Sequence, residues 1–166
     1  MKSKASIGGH PIHPILIPFP IGLLVFSLIA DLIYLWQGGL LWESYIAFYT
    51  LSAGIIGMAV AAIPGFIDWL TLTDPKVVPV ANWHARVNII TLFVFIASFY
   101  LRTTSGATWI AGLTTLPIIL SIIGVIGLGI AGWLGGELVF RHGVAVNTQT
   151  ETAPEKPEAH RHIRAA

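Results

Sequence analysis

The stretch from Ile15 to Trp36 reads ILIPFPIGLLVFSLIADLIYLW, and Asp31 is its one charged residue. A helix needs about 20 predominantly apolar residues to cross the hydrocarbon core of a bilayer, so this stretch is long enough to span a membrane. Three further apolar runs of similar length follow it, over residues 45–70, 83–101 and 109–135. The sequence therefore predicts an all-α protein, a bundle of four transmembrane helices.

The composition agrees with a membrane domain and excludes several other classes of protein. Of the 166 residues, 55% are hydrophobic and only 10% are charged, and the mean hydropathy is +0.78. Soluble domains carry about 25% charged residues, so this chain could not cover a surface in water. A net charge of +1 without a basic stripe predicts no nucleic-acid partner. The absence of cysteine excludes disulfides, thiolate-bound iron–sulfur clusters and covalently attached c-type haem.

The four crossings return the chain to its starting side, so both termini share one face. The chain has nine lysine and arginine residues, and only Arg102 falls on the other face. Because basic flanks mark the cytoplasmic side, we expect both termini and the histidines to lie in the cytoplasm. We expect a polar leader over residues 1–9, one membrane domain over residues 10–146, and a disordered polar tail over residues 147–166.

Prolines and glycines predict the local backbone. The prolines around His10 and His13 favour an extended segment, with regular helix beginning near Pro18 or Pro20. Pro64-Gly65 should kink or break the second span. The glycines of the fourth span predict close helix packing, either within the bundle or between two copies in a homodimer. No internal repeat is evident, and Asp31 is expected to cap a helix or to pair at the opposite rim.

Four histidines from three parts of the chain are predicted to meet at the cytoplasmic level: His10, His13, His84 and His142. Imidazole is a common ligand for haem iron and for transition metals. One hypothesis is that two of these histidines ligate haem b, with Arg141 holding a haem propionate. The other is that the four histidines and Asp68 bind a single iron, zinc or copper ion. The residues expected to surround either cofactor are Asn88, Glu137, Trp69 and Trp133. The alternative is that the histidines only prefer the membrane interface and hold no cofactor.

Three motifs resemble one known family. They are His-Pro-x-His-Pro from His10 with Phe-Pro-Ile-Gly from Phe19, Gly-x-x-Asp-Trp from Gly65, and Gly-Gly-Glu-Leu-Val-x-x-His-Gly from Gly135. Together with His84 at the start of the third span, they resemble the bacterial membrane-protein family called domain of unknown function 2231. The resemblance covers residues 8–146 and implies a four-span inner-membrane protein with polar motifs on one side. It also implies a redox association, since some members appear joined to electron-transfer modules, and this favours haem.

The leading functional hypothesis is a membrane-embedded redox or metal-binding subunit that is not an enzyme by itself. One alternative is a non-catalytic subunit whose inner polar motif docks a redox protein or another partner in a membrane complex. The other alternative, transport of a small solute or ion, is disfavoured because spans one, three and four lack ionisable residues at mid-depth. Transport is also disfavoured because no inverted repeat is evident.

Overall fold

A computed structural model describes residues 3–39, 41–104 and 115–146, without the side chains of Glu43 and Ser44. The chain begins with a hairpin of two short strands, β1 (Ser6–Ile7) and β2 (His10–Pro11). The elements that follow are α1 (Ile12–Leu16), α2 (Pro18–Gln37), a π-helical segment (Leu41–Ala47), α3 (Phe48–Trp69), α4 (Val78–Thr104) and α5 (Thr115–Phe140).

Four helical stretches are long and apolar enough to cross a membrane: Ile12–Gln37, Tyr45–Trp69, Val78–Thr104 and Thr115–Phe140. They confirm the predicted all-α bundle of four spans. Trp109, at the predicted start of the fourth span, lies outside the described residues, as does the tail over residues 147–166.

The first helix begins at Ile12, earlier than the predicted start at Pro18 or Pro20. His10 lies in an extended strand as expected, but His13 is helical, so the prediction of an extended segment around both histidines is wrong. The reason is that Pro14 falls in the first turn of α1, where a backbone N–H has no partner within the helix and its loss costs little. Ile17 keeps helical backbone angles (φ −56°, ψ −40°), so α1 and α2 continue as one rod.

The second span does not break at Pro64. Helix α3 continues through this proline to Trp69, and Pro64 itself is buried. Prolines are tolerated inside transmembrane helices because neighbouring groups can satisfy the freed backbone carbonyl. The predicted break is therefore absent.

Close packing between α4 and α5 uses part of the glycine face of the fourth span. A Cβ atom on Gly124 would lie 2.5 Å from the ring of Phe95, and one on Gly127 would lie 2.3 Å from the Oγ1 atom of Thr91. Gly129 and Gly132, in contrast, have open space where a Cβ atom would stand. These contacts support the predicted packing within the bundle. The core that results is apolar and contains Leu24, Leu51, Met58, Phe95 and Leu128.

The N-terminal hairpin, the connection between α3 and α4, and the end of α5 all lie at one end of the bundle. Val77 and Ala81 pack against Leu138, and Asp68 at the end of α3 contacts residues 3–5. We call this the histidine end, since His13 and His84 also lie there. The expectation that it faces the cytoplasm stays a prediction.

Candidate functional site

His13 and His84 face each other across the histidine end of the bundle. Their ring centroids are 6.4 Å apart, and the ring planes are nearly perpendicular at 87°. His13 lies in the first turn of α1, and His84 lies in the second turn of α4. Two helices far apart in the sequence therefore contribute one imidazole each to the same site.

A backbone carbonyl orients each imidazole. The Nδ1 atom of His13 lies 2.7 Å from the carbonyl oxygen of Ala61 in α3, and the Nδ1 atom of His84 lies 3.0 Å from that of Ala131 in α5. A carbonyl oxygen only accepts hydrogen bonds, so each Nδ1 atom carries the proton and donates it. In the neutral ring the lone pair is then on Nε2. Metal-binding histidines have this arrangement, in which the second ring nitrogen donates to a carbonyl or carboxylate.

A glycine stands behind each imidazole and allows the ring to approach the neighbouring helix. A Cβ atom on Gly65 would lie 2.8 Å from the ring of His13, and one on Gly135 would lie 3.2 Å from the ring of His84. The first distance is shorter than any ordinary van der Waals contact. At Gly65 a larger residue would therefore displace the ring of His13, whereas at Gly135 the ring of His84 would have to move by only a few tenths of an ångström.

Asn88 contacts the remaining nitrogen of His84. Its Nδ2 atom lies 3.2 Å from the Nε2 atom of His84 and 2.8 Å from the backbone oxygen of the same residue. The two residues are four apart in α4, which places them on one helix face, as their spacing predicts. The amide thus covers the Nε2 atom of His84 and has a second acceptor on the same residue.

The other two predicted histidines lie in different surroundings. His10 is exposed in the N-terminal hairpin, and its Nδ1 atom lies 3.1 Å from the backbone oxygen of Gly8. His142 lies in the turn that follows α5. Within the described ranges, no three histidine, aspartate or glutamate side chains come together in a way that could hold a metal ion. Of the four predicted histidines, the structure pairs His13 with His84.

Asp68 anchors the N-terminal segment instead of joining the histidines. Its carboxylate accepts hydrogen bonds from the Oγ atom of Ser3 (2.7 Å), the backbone N–H of Lys4 (2.7 Å) and the backbone N–H of Ala5 (3.0 Å). The backbone of Ala5 in turn accepts a hydrogen bond from the N–H of Ile12 at the start of α1. Asp68 therefore fixes the segment that leads into the helix of His13.

The remaining predicted site residues lie around this end without touching the histidine pair in the contacts described. Arg141 pairs with Glu137 at 3.2 Å, and its side chain is 77% exposed. The Nε1 atom of Trp69 donates to Asn82 at 2.8 Å. Trp133 was expected to surround the cofactor, but it is 78% exposed and faces out of the bundle.

A buried ion pair lies near the opposite end of the bundle. Asp31 in α2 and Arg102 in α4 form a bidentate pair with N–O distances of 2.6 and 2.8 Å, and the two residues are 0% and 3% exposed. Ser98 and Ser121 also accept hydrogen bonds from Arg102. The expected pairing of Asp31 is confirmed. Its partner could have been found as the single basic residue on that side.

Comparison with curated protein sequences and with solved structures finds no significant match. A family model described as "Predicted membrane protein (DUF2231)" matches residues 9–148, a range that includes both histidines of the pair, their accepting carbonyls and the ion pair. This match covers most of the chain and agrees with the motifs around His10, Gly65 and Gly135, so the chain belongs to the family of predicted membrane proteins with domain of unknown function 2231.

Proposed function

We propose that the chain is a membrane-embedded electron-transfer subunit in which His13 and His84 would hold the iron of haem b. The observation that supports this most directly is the orientation of the pair. Both Nδ1 atoms donate to backbone carbonyls, and the centroids of the two rings are 6.4 Å apart. When bound, haem would supply one-electron transfer within the bilayer.

The spacing and the number of imidazoles fit haem iron. Nitrogen–metal bonds to imidazole are about 2.0–2.1 Å long, so one metal centre between two imidazoles separates the ring centroids by about 6 Å. A porphyrin supplies four nitrogens, and two imidazoles complete the coordination of its iron. A bare zinc ion instead takes four ligands, usually from the protein in a structural site. A pair of histidines therefore suits haem better than a single ion.

The chain's own residues would position this cofactor. The carbonyls of Ala61 and Ala131 hold the rings, and Gly65 and Gly135 leave room for them. Coordination by His84 requires the Asn88 amide to leave the Nε2 atom. The amide keeps a partner when it does so, since it already donates to the backbone oxygen of His84. Arg141, in the turn just after α5, is the proposed partner of a haem propionate.

The test compares the pair with the two histidines outside it. The detergent-purified protein, expressed with ample haem, should show a Soret band that shifts on reduction with dithionite. His13→Ala and His84→Ala should each lose most of that band, whereas His10→Ala and His142→Ala should keep it. All four variants should insert into the membrane and migrate as the wild-type protein does in size-exclusion chromatography.

Full haem occupancy in both His13→Ala and His84→Ala would contradict the assignment of ligands. A folded but colourless wild-type protein would contradict haem binding itself. Elemental analysis for iron, zinc and copper would then test the single-ion hypothesis. A protein with neither cofactor that co-purifies with a second protein would instead support the docking hypothesis.

A further inference from the structure

Two segments of the chain have matching sequences. Residues 54–65 read GIIGMAVAAIPG, and residues 124–135 read GVIGLGIAGWLG. Glycine stands at the same three places in each segment, and alanine stands four residues before the last glycine. This match argues against the expectation of no internal repeat. The match is weak over whole spans because small and branched apolar residues replace one another at most other positions.

The contacts of these glycines repeat as well. A Cβ atom on Gly54 would lie 2.6 Å from the side chain of Leu24, and one on Gly124 would lie 2.5 Å from that of Phe95. The last glycine of each segment, Gly65 or Gly135, stands behind a histidine. Each helix that carries the sequence motif thus packs on its preceding helix in the same register.

Hydrogen bonds between the helices of the first half of the chain also have counterparts between the helices of the second half. His13 donates to the carbonyl of a residue 48 positions later, and His84 donates to one 47 positions later. Ser27 donates to the carbonyl of Ala47, 20 positions later, and Ser98 donates to that of Pro117, 19 positions later. Between α4 and α5, each of these hydrogen bonds spans one residue fewer than its counterpart in the first half of the chain. This difference is expected if the connection between α4 and α5 has lost one residue.

Equivalent residues meet each other at both ends of the bundle. Asp31 and Arg102 are 71 positions apart and form the buried ion pair, and His13 and His84 are separated by the same number of positions and face each other. In a twofold arrangement, a residue contacts its own equivalent only at the axis. The helix packing agrees, because α3 packs on α4 and α5 packs on α2.

We infer that residues 12–69 and 83–139 are two copies of one two-helix unit, related by a pseudo-twofold axis along the bundle, and that the ligand of the histidine pair lies on this axis. Both copies begin at the histidine end and return to it, so the repeat is parallel and not inverted. The statement about the ligand rests on the proposed function. The statement about the repeat does not.

The pseudo-twofold axis restricts which ligands can bind at one end of the bundle and which charges can meet at the other. A ligand held alike by both copies would have to accept one imidazole from each of them, as haem iron would. At the other end, two aspartates or two arginines would repel each other at the axis. The opposite charges of Asp31 and Arg102 make the two copies complementary within one chain.

The test of the repeat exchanges equivalent residues in the full-length protein. Asp31→Arg and Arg102→Asp should each place like charges together in the buried site, and we expect a large loss of thermal stability and of monodisperse protein in detergent. The double variant, Asp31→Arg with Arg102→Asp, should recover much of the loss. Arg102 also contacts Ser121, whose equivalent is Leu51. Adding Leu51→Ser and Ser121→Leu should therefore bring the melting temperature to near the wild-type value.

Exchanged variants that are no more stable than the single ones would overturn the repeat, whether or not haem binds. The ligand is tested separately by the haem occupancy of His13→Ala and His84→Ala, which should fall to a similar level. Loss of haem in one variant with full retention in the other would overturn the placement of the ligand on the pseudo-twofold axis. Absence of haem from the wild-type protein would overturn the proposed function and with it the statement about the ligand. The charge exchange would still decide whether the two units are equivalent.

Discussion

The two nitrogens of each imidazole in the pair have different tasks. Nδ1 is committed to a backbone carbonyl of the facing helix, in both His13 and His84. This bond fixes which nitrogen carries the proton, and it also restrains rotation of the ring. The nitrogen that would coordinate the proposed haem iron is Nε2, and in His84 it is covered by the amide of Asn88.

Replacement of Gly65 by alanine tests how closely the site is packed. The added Cβ atom would lie 2.8 Å from the ring of His13, so the ring must shift away from the carbonyl of Ala61. We expect a loss of about 1–3 kcal/mol in the free energy of unfolding, as in other overpacked sites, and a several-fold loss of haem occupancy. Thermal melts and the Soret absorbance measure the two effects.

Gly132→Ala is the matched control, since its Cβ atom would meet open space. That variant should be neutral, or more stable by up to about 1 kcal/mol, because alanine favours the helix. Equal losses in Gly65→Ala and Gly132→Ala would show that contact with His13 is not the cause.

The two histidines differ in the residue four positions later, which is Asn88 after His84 and Ile17 after His13. We expect Asn88→Ile to raise the affinity for haem by up to about tenfold, since it removes a hydrogen bond of about 0.5–1.5 kcal/mol that competes for the Nε2 atom of His84. Haem titration of the detergent-solubilised protein measures this change. A fall in affinity would mean that Asn88 mainly orients the ring.

At the level of elements, the N-terminal hairpin determines where the first helix starts. Gly8 and Gly9 both have positive φ angles, 57° and 81°, and form the tight turn between β1 and β2. Asp68 holds the segment just before this hairpin through three donors. The path of the chain into α1, and hence the level of His13, depends on contacts between residues more than 60 positions apart.

Asp68→Ala should release this segment while the four spans stay folded. Hydrogen bonds to a charged acceptor contribute about 1.5–3 kcal/mol each, so the amides of Lys4 and Ala5 should exchange with solvent at least about tenfold faster. Hydrogen–deuterium exchange with mass spectrometry measures this on the N-terminal peptide. Glu137→Ala is the control, since it removes only an exposed pair with Arg141 and should leave that peptide unchanged. Unaltered exchange in Asp68→Ala would contradict the anchoring role.

The spans and the position of Asn88 beside His84 can be predicted from the sequence because both depend on local patterns. Apolar length alone identifies the four helices, and the i,i+4 spacing places Asn88 beside His84. The start of α1 could not be predicted, because proline is both a helix breaker and a good residue for a first turn. The contacts of Asp68 and of His10 could not be predicted either, since they require the path of the hairpin. Trp133 appeared deep along the span, but depth does not tell which side of a helix faces the bundle.

For the whole molecule, the histidine pair and the ion pair lie near opposite ends of one axis. A cofactor at the histidine end would therefore exchange electrons with partners on that side of the membrane. The parallel direction of the two units also bears on transport, because alternating access commonly uses inverted repeats. The side of the membrane that the histidine end faces thus decides which partners the protein can reach.

Cysteine labelling determines this orientation, because the chain contains no cysteine of its own. Thr73 is exposed in the connection between α3 and α4 at the histidine end, and Thr104 is exposed at the other end of α4. The excess of lysine and arginine at the histidine end predicts that it is cytoplasmic. In intact cells, an impermeant maleimide should therefore label Thr104→Cys and leave Thr73→Cys unlabelled until the membrane is permeabilised. Labelling of Thr73→Cys in intact cells would place the histidine pair on the outer side, and any electron partner would then have to be sought there.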